Sequence, residues 1–581
     1  VALTSRTIDA GYSRPLAVAA IDRWWPALLW AALSALLLYH LGGAALFDPD
    51  EGRNSEKARE ILALNDWVTP HENFHAVLDK PMFFYWTIAL SYKLFGVSEW
   101  SARLPSALAA LGCLLVVYFF TRLRWGEWTA LWSPLILLTT IEFFALARIV
   151  IFDMSLTFFI TLVLCAFYEA AHAEGAGRRQ VLCLVMYLAL AAATLIKGLV
   201  GVVVPGMVIF SYLALSGQWG ILRRIYPVAG ALLFFALVLP WYLQVEARNA
   251  GYLKYFFWDE HFGRFTTSAF RRSGPWYYFF GVVIVGFLPW SVLLPAAARN
   301  AWRERRDDKS LFLILWVLLP FIFFSVSKSK LPHYILPIFP PLAVLTGAAL
   351  TALYRRVESK MHLALSLVWL IQGLAAGYLV AGSFFPPILG DPIREGISAM
   401  PDLLKAAGTA LALGYLYLAL SGRRSKNLGP LFLTHVAGLT LFFAFSVQIV
   451  MLIAPGRSAK PVAEKALPLI GPATQVVFFD THLAGMPFYL RSEKPIWLVT
   501  HENKRRTFLG NYYLSTGIAN PVSLWGDAIF DHDEFREKWQ SATPPLLIVV
   551  KAKNLNRLVN TVGESPKTLA AADEYLLVSK P

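Results

Sequence analysis

The sequence predicts a mainly α, polytopic membrane protein. It should have about thirteen transmembrane helices, interfacial helices in the first external loop and a small C-terminal α/β domain. Three observations carry this. Of 581 residues, 57% are hydrophobic and only 15% charged, too little charge to cover a water-soluble body of that size. The apolar residues gather into runs of about 20, enough for a helix to cross a hydrocarbon core of about 30 Å. After Pro455 the apolar runs shorten to strand length and alternate with short helical stretches.

In order, the spans fall at approximately 25–43, 103–121, 127–142, 153–171, 181–196, 199–215, 226–246, 276–298, 310–326, 334–353, 361–384, 402–421 and 428–453. The first, from Trp24 to Leu41, lacks a small-residue cleavage site and reads as a signal anchor. The 20 Trp and 41 Phe suit spans with aromatic residues at the interfaces. Mean hydropathy is +0.53.

The formal charge of +14 invites a nucleic-acid reading. The basic residues, however, fall in short clusters between spans. Arg122/Arg124, Arg178/Arg179, Arg223/Arg224, Arg303/Arg305/Arg306, Arg355/Arg356/Lys360 and Arg423/Arg424/Lys426 all occupy one set of alternate loops. Arg6, Arg14 and Arg23 of the N-terminus belong with them. Basic loops mark the cytoplasmic side, so the long loops and the C-terminal tail lie on the other. Cys113, Cys165 and Cys183 sit in or beside spans and form no disulfide framework.

The first external loop, about 44–102, has helical apolar spacing from Pro49 to Leu64 and again from Met82 to Phe95. The expected division is a membrane domain over 1–454 and an α/β domain over 455–581. The latter has strands at Val476–Phe479, Ile496–Val499, Leu546–Val550 and Tyr575–Val578 and helices at Asp533–Trp539 and Asn554–Val562.

Ionisable residues recur on the external side. They are Asp50-Glu51 with Arg53, Asp79-Lys80-Pro81, Arg148 and Asp153, Asp259-Glu260-His261 with Arg264, and Lys328 to Tyr334. Carboxylates beside several cations suit a site that handles phosphate esters. Paired repeat halves and midplane charges, the marks of a secondary transporter, are missing from the sequence. Lys197 reads as a helix terminator at the cytoplasmic face.

The set resembles membrane glycosyltransferases of the GT-C fold, the superfamily of the protein O-mannosyltransferases. Within it, the sequence is most similar to the 4-amino-4-deoxy-L-arabinose lipid A transferases. The resemblance rests on Asp50-Glu51 with Arg53 and Glu56, and on Asp79-Lys80-Pro81 running into Phe83, Phe84 and Tyr85. It rests equally on Arg148 with Asp153 and on Lys328-Ser329-Lys330-Leu331-Pro332-His333-Tyr334. One departure is Met82, where many relatives carry a second proline.

The resemblance implies a multi-pass bacterial inner-membrane enzyme with a periplasmic active site and C-terminal domain. Its donor would be an undecaprenyl-phosphate-linked sugar and its acceptor lipid A, with transfer by inversion. Asp50 and Asp153 are the catalytic candidates. Arg53, Lys80, Arg148, Arg264, Lys328, Lys330, His333 and Tyr334 are the candidates for donor and phosphate. Glu51 and Tyr85 would lie against the sugar or behind the site. Asp50 has three open roles: orienting the acceptor, removing a residual proton or contacting the sugar amine. It also suits a helix N-terminus, Lys80 suits a snorkelling anchor, and Asp153 suits a structural pair with Arg148. No cofactor is required. Should a divalent cation bind, Asp79, Glu260 and His261 are the candidates, although the histidine spacing matches no ligand motif. Partners are membrane lipids and not nucleic acid, and the chain is expected to act as a monomer. The aromatic segment Phe83–Tyr92 and Phe279–Phe280 are expected to line a lipid cavity. The alternative within the superfamily is a protein hydroxyl acceptor, which would need Asp50 as a general base.

Overall fold

Long apolar runs in lipid must satisfy their own backbone groups, and helices do so. In the computed structural model of the chain, residues 16–263, 266, 274–356, 358–385, 396–421, 428–501, 528–541 and 545–581 are described. Arg264, Arg6, Arg14, Arg423, Arg424 and Lys426 lie outside them. Each expected span has a helical counterpart. Among the described residues nine helices are long and apolar enough to cross a membrane alone, and two shorter ones, Pro26–Leu38 and Val200–Ser216, stand at the first and sixth positions.

The third and eighth expected spans are each broken. Glu127–Leu138 and Ile141–Ala147 meet at 69°, and Tyr278–Gly286 and Trp290–Arg303 at 108°. The breaks brace each other. Ile141 N donates to Leu288 O at 3.1 Å, and Trp290 Nε1 donates to Thr139 Oγ1 at 2.9 Å. Irregular backbone at such depth survives because protein surrounds it.

At one end of the bundle the Asp308 carboxylate accepts from Tyr168 Oη at 3.0 Å, Tyr212 Oη at 2.6 Å and Gln218 Nε2 at 2.9 Å. Arg124 pairs with Glu169 at 2.6 Å on the same end. Helix Phe152–Ala171 carries Glu169 at this end and Asp153 at the other. Helix Ala176–Lys197 likewise runs from Arg178 to Lys197. The basic clusters and the candidate site therefore occupy opposite faces.

Among the described residues the C-terminal sheet has six strands. Their order is Ile529–Phe530, Trp497–Val499, Gln475–Phe479, Leu546–Lys551, Tyr575–Ser579 and Lys567–Ala572. The first four are parallel, and the last two add antiparallel. Alternate residues pack on opposite faces, as the strand period of two requires. Val477, Phe479, Ile548 and Val550 meet Phe535 and Trp539. Val476, Phe478, Leu547 and Val549 meet Ala463, Met486 and, from the first loop, Val77. Lys567–Ala572 escaped the sequence because it is largely exposed and short of bulky apolar residues.

Both loop helices form, at Asp50–Leu64 and Phe83–Phe95. The first does not simply lie on the bilayer. Its charged residues Glu51, Glu56, Lys57, Arg59 and Glu60 are all buried, and the C-terminal domain is part of what covers them. Arg59 Nη2 donates to Ser492 O at 2.6 Å. Asn73 Nδ2 donates to Ile496 O at 2.9 Å, and Ile496 N returns a bond to Asn73 Oδ1 at 2.7 Å. Leu46 N donates to Tyr489 Oη at 2.8 Å. Gly52 has no room for a side chain: a Cβ there would lie 2.2 Å from Asp48 Oδ1 and 2.5 Å from Gly485 Cα.

Both Asp48 carboxylate oxygens are buried at this seam. Burial pushes the group up to about 7, against the Gly485 backbone and the Arg53 charge. A carboxyl raised in the fold contributes stability that is full below about pH 4 and is lost as pH rises to about 7. Asp48→Asn should therefore gain melting temperature over wild type at pH 8 and much less at pH 4. Equal differences at the two values, in thermal melts of detergent-solubilised protein, would contradict this reading.

Candidate active site

Helix termini and loop turns bring the site together. Asp153 stands in the first turn of helix Phe152–Ala171, where a negative charge suits the helix dipole. Lys197 ends helix Ala176–Lys197. Its Nζ lies 2.5 Å from Asp153 Oδ1, and the Asp153 side chain is only 3% exposed. His333 Nε2 approaches Asp153 Oδ2 at 3.7 Å. Lys197 Nζ also sits 4.5 Å from the centre of the Tyr334 ring. The expected Arg148–Asp153 pair is thus replaced by Lys197–Asp153. Lys197 belongs to the site face and not to the face of the basic clusters, because strict alternation of spans puts the fifth-to-sixth turn with the site.

The turn after Lys197 needs glycine. Gly198 has φ of +67°, and a Cβ there would meet His261 Nε2 at 2.6 Å. His261 Nε2 accepts from Leu199 N at 3.1 Å, and its Nδ1 faces Phe256 O at 2.5 Å. Burial lowers its basicity, in keeping with a neutral ring that donates from Nδ1.

Lys80 Nζ reaches Glu260 Oε1 at 2.6 Å and the Asp79 backbone O at 2.7 Å. Lys80, Lys197, Glu260, His261, Ser327 and Tyr334 form the polar wall of a cavity of about 330 Å³. Val200, Val203, Phe256, Phe323 and Phe324 form its apolar wall. Two ammonium groups beside an apolar channel match an anionic lipid headgroup with its chain. An adjacent groove of about 430 Å³ carries Trp276, Phe280, Phe321, Ile322 and Val326 with Lys328 and Lys330. Lys330 is buried and donates to the Ser327 carbonyl, whereas Lys328 is exposed.

Behind Lys80 runs a ladder of charges. Arg53 Nε meets Glu72 Oε1 at 3.1 Å. Lys57 Nζ lies 3.9 Å from Glu72 Oε2 and 2.9 Å from Asp79 Oδ1. Asp79 Oδ2 lies 3.9 Å from Lys80 Nζ. Burial alone would raise the Asp79 carboxyl; Lys57 and then Lys80 outweigh it and hold it low. His482 of the C-terminal domain is pressed down to about 4 by burial, with Glu72 opposing.

Several expected site residues are committed elsewhere. Glu51 holds Arg103 at 2.9 and 2.8 Å and accepts from Phe47 N and Val150 N. Arg103 spends its remaining donors on the carbonyls of Leu41, Ala44 and Ala45. Arg148 caps helix Leu16–Leu38 through the carbonyls of Leu36, Leu37 and Tyr39. Tyr85 is fully buried against Phe84 and Phe152. Asp50 stays exposed at the start of its helix.

The metal candidates do not converge. Asp79 is held by Lys57, Glu260 by Lys80, and both His261 nitrogens are engaged. Among the described residues no group of three or more His, Cys, Asp or Glu side chains fits a metal ion. Phe84 packs in the core instead of lining either cavity, while Phe280 does line the second.

Sequence reasoning missed Lys197's role, Arg103 and the Lys57–Glu72 links. It also missed Glu142, a buried carboxylate at the first helix break, with neither oxygen hydrogen-bonded among the described residues. An ionisable residue inside an apolar span was the available signal.

Residues 79–243 match the family described as dolichyl-phosphate-mannose-protein mannosyltransferase. An undecaprenyl phosphate-alpha-4-amino-4-deoxy-L-arabinose arabinosyl transferase of Pseudomonas aeruginosa (strain UCBPP-PA14) is 35% identical over 324 residues, which is 56% of this chain and 59% of that protein. One of Pectobacterium carotovorum subsp. carotovorum (strain PC1) is 32% identical over 417 residues, 71% of this chain and 73% of that protein. The chain spans 59 to 61% of the length of the first three curated relatives it matches. The crystal structure of ArnT from Cupriavidus metallidurans bound to undecaprenyl phosphate superimposes with a TM-score of 0.81 at 27% identity, over 96% of this chain and 98% of that one.

Proposed function

This chain belongs to the undecaprenyl phosphate-alpha-4-amino-4-deoxy-L-arabinose arabinosyl transferase family, and on that premise we propose that it moves 4-amino-4-deoxy-L-arabinose from undecaprenyl phosphate to a phosphate of lipid A. The observation that carries this reading is the cavity in which Lys80 and Lys197 stand beside an apolar wall. Undecaprenyl phosphate, for which the family is named, is an anionic headgroup on a long apolar chain, and the cavity offers a surface for each part.

In the proposed reaction an acceptor phosphate oxygen attacks the anomeric carbon from the face opposite the carrier. The bond from that carbon to the carrier phosphate oxygen breaks, its electron pair stays with the phosphate, and the centre inverts. Charge grows on the leaving phosphate, and Lys80 and Lys197 are the groups that offset it. A phosphate acceptor is already anionic near neutrality and needs no base, so Asp50 orients the acceptor or the sugar amine. Arg53 and Arg264 are further donor contacts in this reading.

In this reading, which the basic loops support, the cavity and the C-terminal domain lie on the periplasmic side of the inner membrane. The chain acts as a monomer, with residues 1–454 as the transferase domain and 455–581 as the domain that braces its first loop. Added cationic sugar masks lipid A phosphate and lowers its attraction for cationic antimicrobial peptides. The match to a protein mannosyltransferase description supports a second reading, with a protein hydroxyl as acceptor and Asp50 as base.

The test is mass spectrometry of lipid A. Cells that make the donor but lack their own transferase are complemented with wild type or Asp50→Ala. A pentosamine mass gain with wild type, reduced about 100-fold in the variant because the acceptor or the sugar amine is no longer oriented, is expected. No gain despite membrane expression would move the acceptor to protein. A gain that survives Asp50→Ala would keep the function and remove Asp50 from the site.

A further inference from the structure

Lys57 does not line the cavity, yet its charge bears on the ammonium that does. Its side chain is 1% exposed, an expensive place for a cation unless it is paired. Asp79 lies between two lysines. One oxygen meets Lys57 at 2.9 Å and the other stands 3.9 Å from Lys80. Lys80 makes its closer contact, 2.6 Å, with Glu260 at the cavity wall. Two carboxylates thus compete for Lys80, and Lys57 occupies one of them. Without Lys57, Asp79 would be a buried anion with Lys80 as the adjacent cation in sequence and space. Coulomb attraction in a poorly hydrated setting falls steeply with separation, so Lys80 would be drawn towards Asp79 and away from the cavity.

We propose that Lys57 is a positioning residue for the carrier phosphate: by holding Asp79 it leaves the Lys80 ammonium turned to the cavity for a lipid-linked phosphate. The inference rests on the reading of the cavity as the carrier site. Glu72 supports the arrangement from behind, 3.9 Å from Lys57, and itself takes Arg53. The Lys57 ammonium also lies 5.5 Å from the centre of the Tyr85 ring, which helps keep it charged away from water.

The experiment compares binding of undecaprenyl phosphate and of uncharged undecaprenol to the full chain in nanodiscs. The proteins are wild type, Lys80→Met, Lys57→Met and the double variant Lys57→Met/Asp79→Asn. Lys80→Met and Lys57→Met should each weaken undecaprenyl phosphate binding by about tenfold or more, a difference of about 1.4 kcal/mol. Undecaprenol binding should not change, which a merely structural defect would not spare. The double variant, with Asp79 neutral, should regain most of the loss. If Lys57→Met does not fold, Lys57→Gln removes the charge with a polar side chain and is read in the same way. Wild-type binding in the Lys57 variant, or a double variant as weak as the single, would overturn the positioning role while a loss in Lys80→Met keeps the carrier site. Unchanged binding in Lys80→Met would overturn both.

Discussion

Replacing Lys197 with methionine is expected to cut sugar transfer by about 10²- to 10³-fold, mostly in kcat. Lys197 faces the cavity and is bonded to Asp153 at 2.5 Å. In the proposed reaction it meets a phosphate whose charge grows as the sugar leaves, and a preorganised cation worth that much in rate is typical of such sites. The loss has a second source. Asp153, 3% exposed, would keep His333, at 3.7 Å, as its remaining ion-pair neighbour among the described residues, and that ring carries charge only when protonated. Asp153→Asn should be milder, because Lys197 survives with its charge but loses its fixed direction. Single-turnover assays at saturating donor separate the two. A fall of less than tenfold in Lys197→Met would reduce the pair to a brace between two helices.

The largest effect on stability is expected from Arg103→Leu. Arg103 is 2% exposed, binds both Glu51 oxygens and takes three backbone carbonyls. Removing it strands a buried carboxylate and three acceptors, and breaking such a pair costs about 3–5 kcal/mol. That is a large share of the usual stability of a folded domain. The variant should be lost from membranes or melt well below wild type. Glu51→Gln should be less severe, since an amide oxygen still accepts from the guanidinium. A normal melting temperature for Arg103→Leu would mean that the stretch Leu41–Ala45 finds other partners.

Much of the architecture was legible because lipid simplifies the problem. A run of about 20 apolar residues has few options, and the basic loops reported the alternation independently. The two broken spans were not legible. Thr139, Thr140 and Pro289 interrupt the apolar pattern only weakly, and each break depends on a partner some 150 residues away. The first loop helix was found, but its charged face suggested water, not a covering domain. Nothing local tells Arg59 that Ser492 will receive it.

The site followed the same rule. Lys80, Asp153, Glu260, His333 and Tyr334 were named because ionisable groups near one membrane face are rarely idle. Their partners were not. Asp153 was matched to Arg148, five residues away, whereas the structure gives it Lys197, 44 residues away. Spacing along one element predicts neighbours only within that element, and this site is assembled from the ends of different ones. Arg264 falls outside the described residues.

The seam between the first loop and the C-terminal domain has a consequence for the order of manufacture. The loop leaves the ribosome more than 400 residues ahead of its partners, for Leu46, Arg59 and Asn73 are completed by Tyr489, Ser492 and Ile496, 443, 433 and 423 residues later. Until those residues have been made and delivered to the same side of the membrane, the helix carrying Arg53 and Lys57 has charged groups without their final partners. The part of the site made first is therefore finished last, and a partly synthesised chain sits in the membrane without a completed site.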